Sequence, residues 1–175
     1  MVLSLDGFAT SPDGTHDWMF EFFGDDSAEW NLRALDEAGT HVMGRRSYEI
    51  MGPHWLASEG PIATYMNEKP KAVFSNTLKS ADWGPVEVFG DPDAAIADLK
   101  ARDDDGTILI HGGPTFAKSV VRLGLVDEYQ LSSVPVAIGA GLSPFADLDQ
   151  HLKLDLVQEQ RFASGALGQV LVPKS

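Results

Sequence analysis

The feature that most constrains this chain is a short, largely apolar segment, Thr107 to His111, that runs directly into Gly112-Gly113-Pro114. An apolar run of this length with turn residues after it predicts a buried strand. Proline suits the first position of a helix, because its missing N–H needs no partner there. The next segment, Thr115 to Leu123, is predicted to be a helix that ends at Gly124. The residues predicted to face inward are Phe116, Val120, Val121 and Leu123. A strand that ends in glycines at the start of a helix is typical of an α/β fold.

The same alternation recurs along the chain. Strands are predicted at Met1–Leu5, Thr40–Met43, Lys71–Phe74, Val86–Phe89 and Glu128–Val136, and helices at Ser27–Ala38, Gly44–Ile50 and Pro92–Arg102. Ser27 and Asp91 are predicted N-caps, and Gly39 is a predicted C′ residue. The last two strands, about Leu152 to Phe162 and Ala166 to Val172, predict an antiparallel hairpin. We therefore expect an α/β fold with a mixed, mostly parallel central sheet flanked by helices. Without repeats or low-complexity linkers, residues 1–175 are predicted to form a single domain.

Composition excludes several classes of function. The net charge is −13, from 26 acidic and 13 basic residues, which argues against binding to nucleic acid or to an anionic membrane. The chain has no cysteine, so disulfides, thiolate nucleophiles and iron–sulfur ligation are excluded. Its histidines show no HxxxH or HxH pair, so no metal site is predicted. No apolar run reaches the ~20 residues that a membrane span needs, and no signal peptide is recognised. A cytoplasmic protein is expected.

In so acidic a chain, the positions of the cations are informative. Arg45 and Arg46 follow Gly44 at a predicted helix start, where positive side chains are disfavoured unless an anion binds there. The pattern favours an anion site, and a solvated helix start is the alternative. Gly112-Gly113 would likewise let a diphosphate approach the main chain, or form an ordinary turn. Ser75-Asn76-Thr77 ends another strand with polar groups that suit a ribose, although this composition is also common in turns.

Four motifs follow one another along the chain: Ser4-Leu5-Asp6-Gly7, Met43-Gly44-Arg45-Arg46-Ser47-Tyr48, Phe74-Ser75-Asn76-Thr77-Leu78 and Ile110-His111-Gly112-Gly113-Pro114. Their order and spacing resemble the dihydrofolate-reductase-like superfamily. More closely, the chain resembles the stand-alone relatives of the C-terminal reductase domain of riboflavin biosynthesis, and the resemblance spans essentially its whole length. The implied fold is the three-layer dihydrofolate-reductase-like one. Related domains often dimerise, so a homodimer is expected.

The resemblance implies NADPH as hydride donor and a small planar heterocycle as substrate. The implied activity is most like that of 5-amino-6-(5-phosphoribosylamino)uracil reductase, with dihydrofolate reduction or non-catalytic NADP binding as alternatives. The residues implied for the cofactor are Gly44, Arg45 and Ser47 by the phosphates, Ser75, Asn76 and Thr77 by the adenosine ribose, and Gly112, Gly113, Pro114, Thr115 and Phe116 by the diphosphate. Lys79 is a candidate for a 2′-phosphate.

The substrate side departs from the family pattern. Dihydrofolate reductases usually carry a carboxylate on their first long helix, and the corresponding position here is Ala28, beside Glu29. In riboflavin-pathway reductases an acidic residue often precedes the glycine pair, and here that residue is His111. Asp6 and His111 are the candidate catalytic residues, with an Asp-Gly turn and a polar cap of a buried strand as their alternatives. Leu5, Gly7, Trp18 and Tyr48 are candidate substrate contacts. The aromatic segment around Trp18 predicts either a wall against a planar substrate or a small hydrophobic cluster.

Overall fold

A computed structural model describes residues 1–78, 80–102 and 106–174. The chain forms two compact units, one made of Met1–Trp30 with Ala117–Ser175 and the other of Asn31–Phe116. Each unit contains one four-stranded sheet. The unit boundaries fall inside two helices, α1 (Asp25–Glu37) and α5 (Pro114–Arg122).

The sheet of the Asn31–Phe116 unit is entirely parallel. Its strands are β2 (Ala38–Gly44), β3 (Lys71–Phe74), β4 (Val86–Phe89) and β5 (Thr107–Ile110), in the order β4-β3-β2-β5. Every residue of β3, which lies between β4 and β2, is buried. The connecting helices are α2 (Arg45–Leu56), α3 (Pro61–Glu68) and α4 (Pro92–Ala101). The predicted alternation of strands and helices is confirmed.

The core of this unit lies between the sheet and its helices. Its buried members are Leu35, Met43, Tyr48, Met66, Val73 and Trp83. They come from α1, α2, α3, two strands and the segment between β3 and β4, so these three helices each contribute an apolar face to the same cluster. Packing against this cluster, rather than helix propensity alone, stabilises the short helices.

The sheet of the other unit is mixed. Its strands are β1 (Val2–Leu3), β6 (Tyr129–Ser133), β7 (Leu154–Arg161) and β8 (Leu167–Pro173), in the order β1-β6-β8-β7. Only the β1–β6 pairing is parallel among these strands. The turn between β7 and β8 contains Gly165 with a positive φ of 89°, and the predicted hairpin is confirmed. A 3-10 helix (Asp17–Phe22) precedes α1.

Several predicted boundaries are wrong for local reasons. Ser27 is not an N-cap, because α1 begins two residues earlier and the Ser27 hydroxyl instead bonds both the N–H and the carbonyl of Gly24, each at 2.9 Å. Gly39 is not a C′ residue, because β2 begins directly after the helix and includes it. Leu123, predicted to face inward, is 48% exposed. Helix α2 continues past Ile50 to Leu56 with Pro53 inside it.

Within the part of the chain that the structure describes, no helix combines the length and apolar character needed to cross a bilayer.

Candidate functional site

The carboxyl ends of three neighbouring strands meet at one edge of the parallel sheet. Gly44 at the end of β2 lies opposite Phe74 at the end of β3, and Val42 lies opposite Ile110 of β5. The chain stays in register one residue further, since the His111 N–H donates to the carbonyl of Val42 at 2.8 Å. The turns that follow these strands therefore leave the sheet side by side, where open α/β sheets bind their ligands. The described residues that were predicted for the cofactor lie in this unit, at or next to this edge.

The two glycines after β5 have different surroundings. Gly113 has a positive φ of 78°, and a Cβ built on it would lie 2.5 Å from the Ser47 hydroxyl oxygen. The Ser47 hydroxyl donates a long hydrogen bond of 3.4 Å to the carbonyl of Gly112. A Cβ on Gly112 would meet none of the described residues within 4 Å. Gly113 is thus required for the turn itself, while Gly112 borders open space.

The start of α2 is built like an anion site. Its N-cap, Gly44, provides no side-chain hydrogen bond, and no acidic residue lies in the first turn. The first N–H groups of a helix have no partner within it, and they carry the positive end of its dipole. Arg45 and Arg46 add two exposed cations to this turn. By contrast, the N-cap of α4 is occupied by the Asp91 side chain, which accepts from Asp93 N–H at 3.0 Å. An anion at α2 would compensate both the amides and the arginines.

Arg45 forms an ion pair with Glu49. Its guanidinium lies 2.9 Å from the carboxylate of Glu49, one helical turn away, and both side chains are about half exposed. Pairs of this kind contribute only about 0.3–0.5 kcal/mol. Arg45 can therefore exchange this partner for a phosphate at small cost.

The start of α2 packs closely against Phe116 of α5. A Cβ on Gly44 would lie 3.3 Å from the Phe116 Cβ, so the start of α2 lies close to α5. The ring of Phe116 stacks on Phe74, with centroids 4.9 Å apart. Pro114 is the first residue of α5, as predicted. The predicted residue Phe116 contributes a packed aromatic wall rather than a polar group.

The turn after β3 is organised by Ser75. Its hydroxyl accepts from the N–H groups of Thr77 at 3.0 Å and Leu78 at 2.8 Å, so this side chain shapes the turn. Asn76 and Thr77 are exposed. Lys79, the cation suggested for a 2′-phosphate, lies outside the described residues.

A cavity of about 440 Å³ lies beside this turn, and the sequence did not reveal it. It is lined by residues of α2 and of the segment that follows β3: Arg45, Tyr48, Glu49, Gly52, Pro53, Leu56, Thr77, Leu78, Ser80, Asp82 and Trp83. Arg45 and Thr77 therefore border the same space. Tyr48, predicted as a substrate contact, is a buried core residue whose hydroxyl accepts from the Trp83 N–H at 2.7 Å.

His111 is joined to a second histidine that the sequence analysis did not single out. The His111 Nε2 atom lies 3.0 Å from the Nδ1 atom of His41, which is fully buried on β2. Burial lowers the pKa of His41 to about 4 and that of His111 to about 3. Both imidazoles are therefore neutral at pH 7, so His111 is poorly suited to release a proton to a substrate. In the sequence, His41 is marked only as a single histidine within a predicted apolar strand.

Asp6 lies in the other unit and makes structural hydrogen bonds. Its carboxylate accepts from the Ser4 hydroxyl at 2.6 Å, from Ile138 N–H at 3.2 Å and from Gly139 N–H at 2.7 Å. These hydrogen bonds lower the pKa of the Asp6 carboxyl, and the bond from Ser4 has the largest effect. The carboxylate fastens the turn after β1 to the 138–139 loop, which favours the turn interpretation over proton donation.

The predicted substrate contacts in this unit divide between surface and core. Leu5 is 72% exposed, and Gly7 has a positive φ of 85° in the turn. Trp18 packs against the core cluster that contains Trp30 and Phe162. The exposed aromatic residues of this segment are instead Phe20 and Phe23, in edge-to-face contact with each other. Trp18 therefore anchors the segment rather than forming a wall.

No group of three or more histidine or acidic side chains is placed to hold a metal ion within the described ranges.

Comparison with known proteins identifies the family. The family model described as the RibD C-terminal domain matches residues 1–167. An uncharacterized protein of Bacillus subtilis (strain 168), YyaP, is 28% identical over 172 residues, which cover 95% of this chain and 89% of YyaP.

Two solved structures share the fold. A proposed riboflavin biosynthesis protein from Shewanella sp. PV-4 superposes with a TM-score of 0.77 at 21% identity, covering 100% of this chain and 97% of that one. A diaminohydroxyphosphoribosylaminopyrimidine deaminase/5-amino-6-(5-phosphoribosylamino)uracil reductase from Thermotoga maritima superposes with a TM-score of 0.70 at 16% identity. The match covers 99% of this chain but only 55% of the Thermotoga protein. The predicted fold class is confirmed, and the chain belongs to the RibD C-terminal domain family.

Proposed function

We propose that this protein is an NADPH-dependent reductase of a small planar heterocycle, most like 5-amino-6-(5-phosphoribosylamino)uracil reductase in its chemistry. The observation that carries the proposal is the start of α2, where uncapped amides and two arginines adjoin the glycine turn after β5. Family membership and the reductase activity named for the Thermotoga protein support the same conclusion.

The residues present fit a dinucleotide. Gly44, Arg45 and Ser47 would hold phosphate oxygens through main-chain amides, a guanidinium and a hydroxyl. The open space at Gly112 would admit the diphosphate, and the amides at the start of α5 would face it. Asn76 and Thr77 would contact the adenosine ribose. When bound, the nicotinamide supplies the hydride, and the protein's part is to align it with the substrate and exclude water.

A preference for NADPH over NADH follows from the cation beside the ribose turn. Arg45 borders the same cavity as Thr77, so its guanidinium can reach a phosphate carried on that ribose. Glu49 opposes this preference, because its carboxylate competes for Arg45 and repels a phosphate.

A non-catalytic NADP-binding protein is the second candidate. The observation that favours it is that neither predicted catalytic residue is poised to give up a proton, since Asp6 is ionised and hydrogen-bonded and His111 is neutral. We further propose that the chain is a single domain, that it acts in the cytoplasm and that it forms a homodimer. Sedimentation of the purified protein would test the homodimer.

Calorimetric titration with NADPH, and separately with NADH, tests the proposed site. Arg45→Ala should weaken NADPH binding about tenfold or more, because a charge-assisted hydrogen bond contributes about 1.5–3 kcal/mol. Arg161→Ala removes an exposed arginine of β7 in the other unit and should leave the affinity unchanged. Glu49→Gln should tighten binding. If the folded protein binds neither nucleotide, the proposal is wrong.

Turnover separates the two candidate functions. A reductase should oxidise NADPH when an aminouracil or a pterin is supplied, and a binding protein should hold NADPH without consuming it.

A further inference from the structure

The His41–His111 pair is a polar cluster that cofactor binding does not explain. His41 lies in the middle of β2, between Lys71 of β3 and Leu109 of β5, and its side chain has no exposed surface. The two imidazole rings have centroids 4.6 Å apart and are inclined by 33°. The His111 backbone is held by its hydrogen bond to Val42. The sheet thus fixes the backbone positions from which both rings extend.

The pair shares one hydrogen. Burial keeps both imidazoles uncharged near pH 7, and the positive charges of Lys71 and Lys69 also lower the pKa of His41. A neutral imidazole has one N–H donor and one bare nitrogen acceptor. The 3.0 Å contact therefore needs a donor on one ring and an acceptor on the other. Two arrangements satisfy this condition.

The surroundings of His41 distinguish the two arrangements. Its second nitrogen, Nε2, is buried and has no hydrogen-bond partner among the described residues. If His111 were the donor, His41 would carry its own hydrogen on Nε2 and bury an unpaired N–H. If His41 donates from Nδ1, the buried atom is a bare acceptor instead. Among buried main-chain groups, unpaired N–H donors are rarer than under-satisfied carbonyl acceptors, and we extend this preference to the ring nitrogen. The second arrangement places the remaining hydrogen on His111 Nδ1.

That nitrogen remains available to a ligand. His111 is partly rather than fully buried, and its Nδ1 has no hydrogen-bond partner within the described part of the chain and is not one of the fully buried unpaired atoms. It directly precedes Gly112, where the chain borders open space. We propose that His41 is a positioning residue that fixes the tautomer of His111, and that His111 Nδ1 donates a hydrogen bond to a carbonyl oxygen of the bound ligand.

The ligand contact rests on the function proposed above, whereas the tautomer does not. A carboxamide on the cofactor and an amide carbonyl in the ring of the substrate offer the same acceptor. A neutral, oriented donor can polarise such an oxygen without transferring a proton, which is the role that neutral imidazole has in some enzymes. This role agrees with the low pKa of His111, which makes it a poor proton donor.

Nitrogen-15 NMR of the unliganded protein tests the tautomer directly. Long-range proton–nitrogen correlations at pH 7 should show His111 as a neutral ring with its hydrogen on Nδ1, and His41 likewise. A charged His111, or a hydrogen on His111 Nε2, would overturn the proposal. This measurement does not depend on any ligand.

Two substitutions test whether His41 acts through His111. His41→Leu removes the donor, so the His111 tautomer should become mixed and ligand affinity should fall about 2- to 10-fold, as expected for one neutral hydrogen bond. His41→Asn offers an amide N–H at nearly the same place and should restore both. His151→Leu, which removes an exposed histidine, is the matched control. If His41→Leu and His41→Asn lower the affinity for the ligand equally while the His111 tautomer is unchanged, His41 is not a positioning residue.

The probes identify the source of the carbonyl. Weakened binding of NADPH alone in His41→Leu indicates the nicotinamide carboxamide, and weakened binding of 5,6-diaminouracil alone indicates the substrate ring. If the wild-type protein binds neither probe, the function proposed above and the ligand contact are both wrong, while the NMR result still decides the tautomer. If both probes bind equally well in all variants, the ligand contact alone is wrong.

Discussion

Adjacent glycines in the turn after β5 should respond to alanine in opposite ways. Gly113 has a φ of 78°, and an alanine there would carry its Cβ 2.5 Å from the Ser47 hydroxyl. The left-handed conformation costs a non-glycine residue about 1–2 kcal/mol, and overpacking typically adds about 1–3 kcal/mol. We expect Gly113→Ala to lower the free energy of unfolding by about 2–4 kcal/mol.

Gly112→Ala is the matched control. Its Cβ would meet none of the described residues within 4 Å, and its φ lies outside the left-handed region. Alanine also reduces the entropy of the unfolded chain, which is worth about 0.4–1 kcal/mol in favour of folding. The stability of Gly112→Ala should therefore stay within about 1 kcal/mol of the wild type. The same variant should weaken NADPH binding, because its methyl group occupies the space proposed for the diphosphate.

Urea unfolding of the two variants measures the difference. Adding Ser47→Ala to Gly113→Ala should recover the steric part of the loss and leave about 1–2 kcal/mol, which is the cost of the backbone conformation. Equal stabilities for Gly112→Ala and Gly113→Ala would refute the described geometry of this turn.

Substitutions at three further positions probe the unit that carries this turn. Between pH 7 and pH 5 the wild type should lose roughly 2 kcal/mol more stability than His41→Asn, because burial lowers the pKa of His41 to about 4 and the unfolded chain takes up the proton first. The loss begins as the pH falls below the unfolded pKa near 6.5 and is complete near 4; parallel urea-stability curves for the two proteins would contradict it. Tyr48→Phe leaves the buried Trp83 N–H without its acceptor and should cost about 1–3 kcal/mol in urea unfolding, so a neutral result would be inconsistent with that bond. Asp91→Ala removes the cap of α4 and should lower the thermal midpoint by an amount equivalent to about 0.5–2 kcal/mol, whereas Asp91→Asn, which keeps an acceptor, should change it less.

The sequence predicted the parallel strands better than the helix ends. The bounds of β3 and β4 agree with the prediction residue for residue, because short strands between turn residues are marked by composition alone. Helix α3 was missed, because the start of a helix at Pro61 is hard to recognise after Gly60 and before a short apolar face. Pro53 obscured the second half of α2, since proline normally ends a helix.

The candidate site was predictable where it depends on the backbone and not where it depends on side-chain partners. Gly44 and the glycine pair 112–113 are marked by their place after apolar strands, and the parallel register brings their turns together. Nothing in the sequence indicated that His41 faces His111, because this contact joins residues 70 positions apart. The cavity beside α2 depends likewise on how the segment after β3 returns to that helix.

The most direct test of the account is to map NADPH binding onto the chain by amide chemical shifts. Saturating NADPH should shift the amides of residues 44–47, 75–78, 112, 113, 115 and 116, and Arg45→Ala should reduce the affinity derived from those shifts. Shifts confined to other residues, or no shifts at all in folded protein, would contradict a cofactor site at the carboxyl edge of β2, β3 and β5.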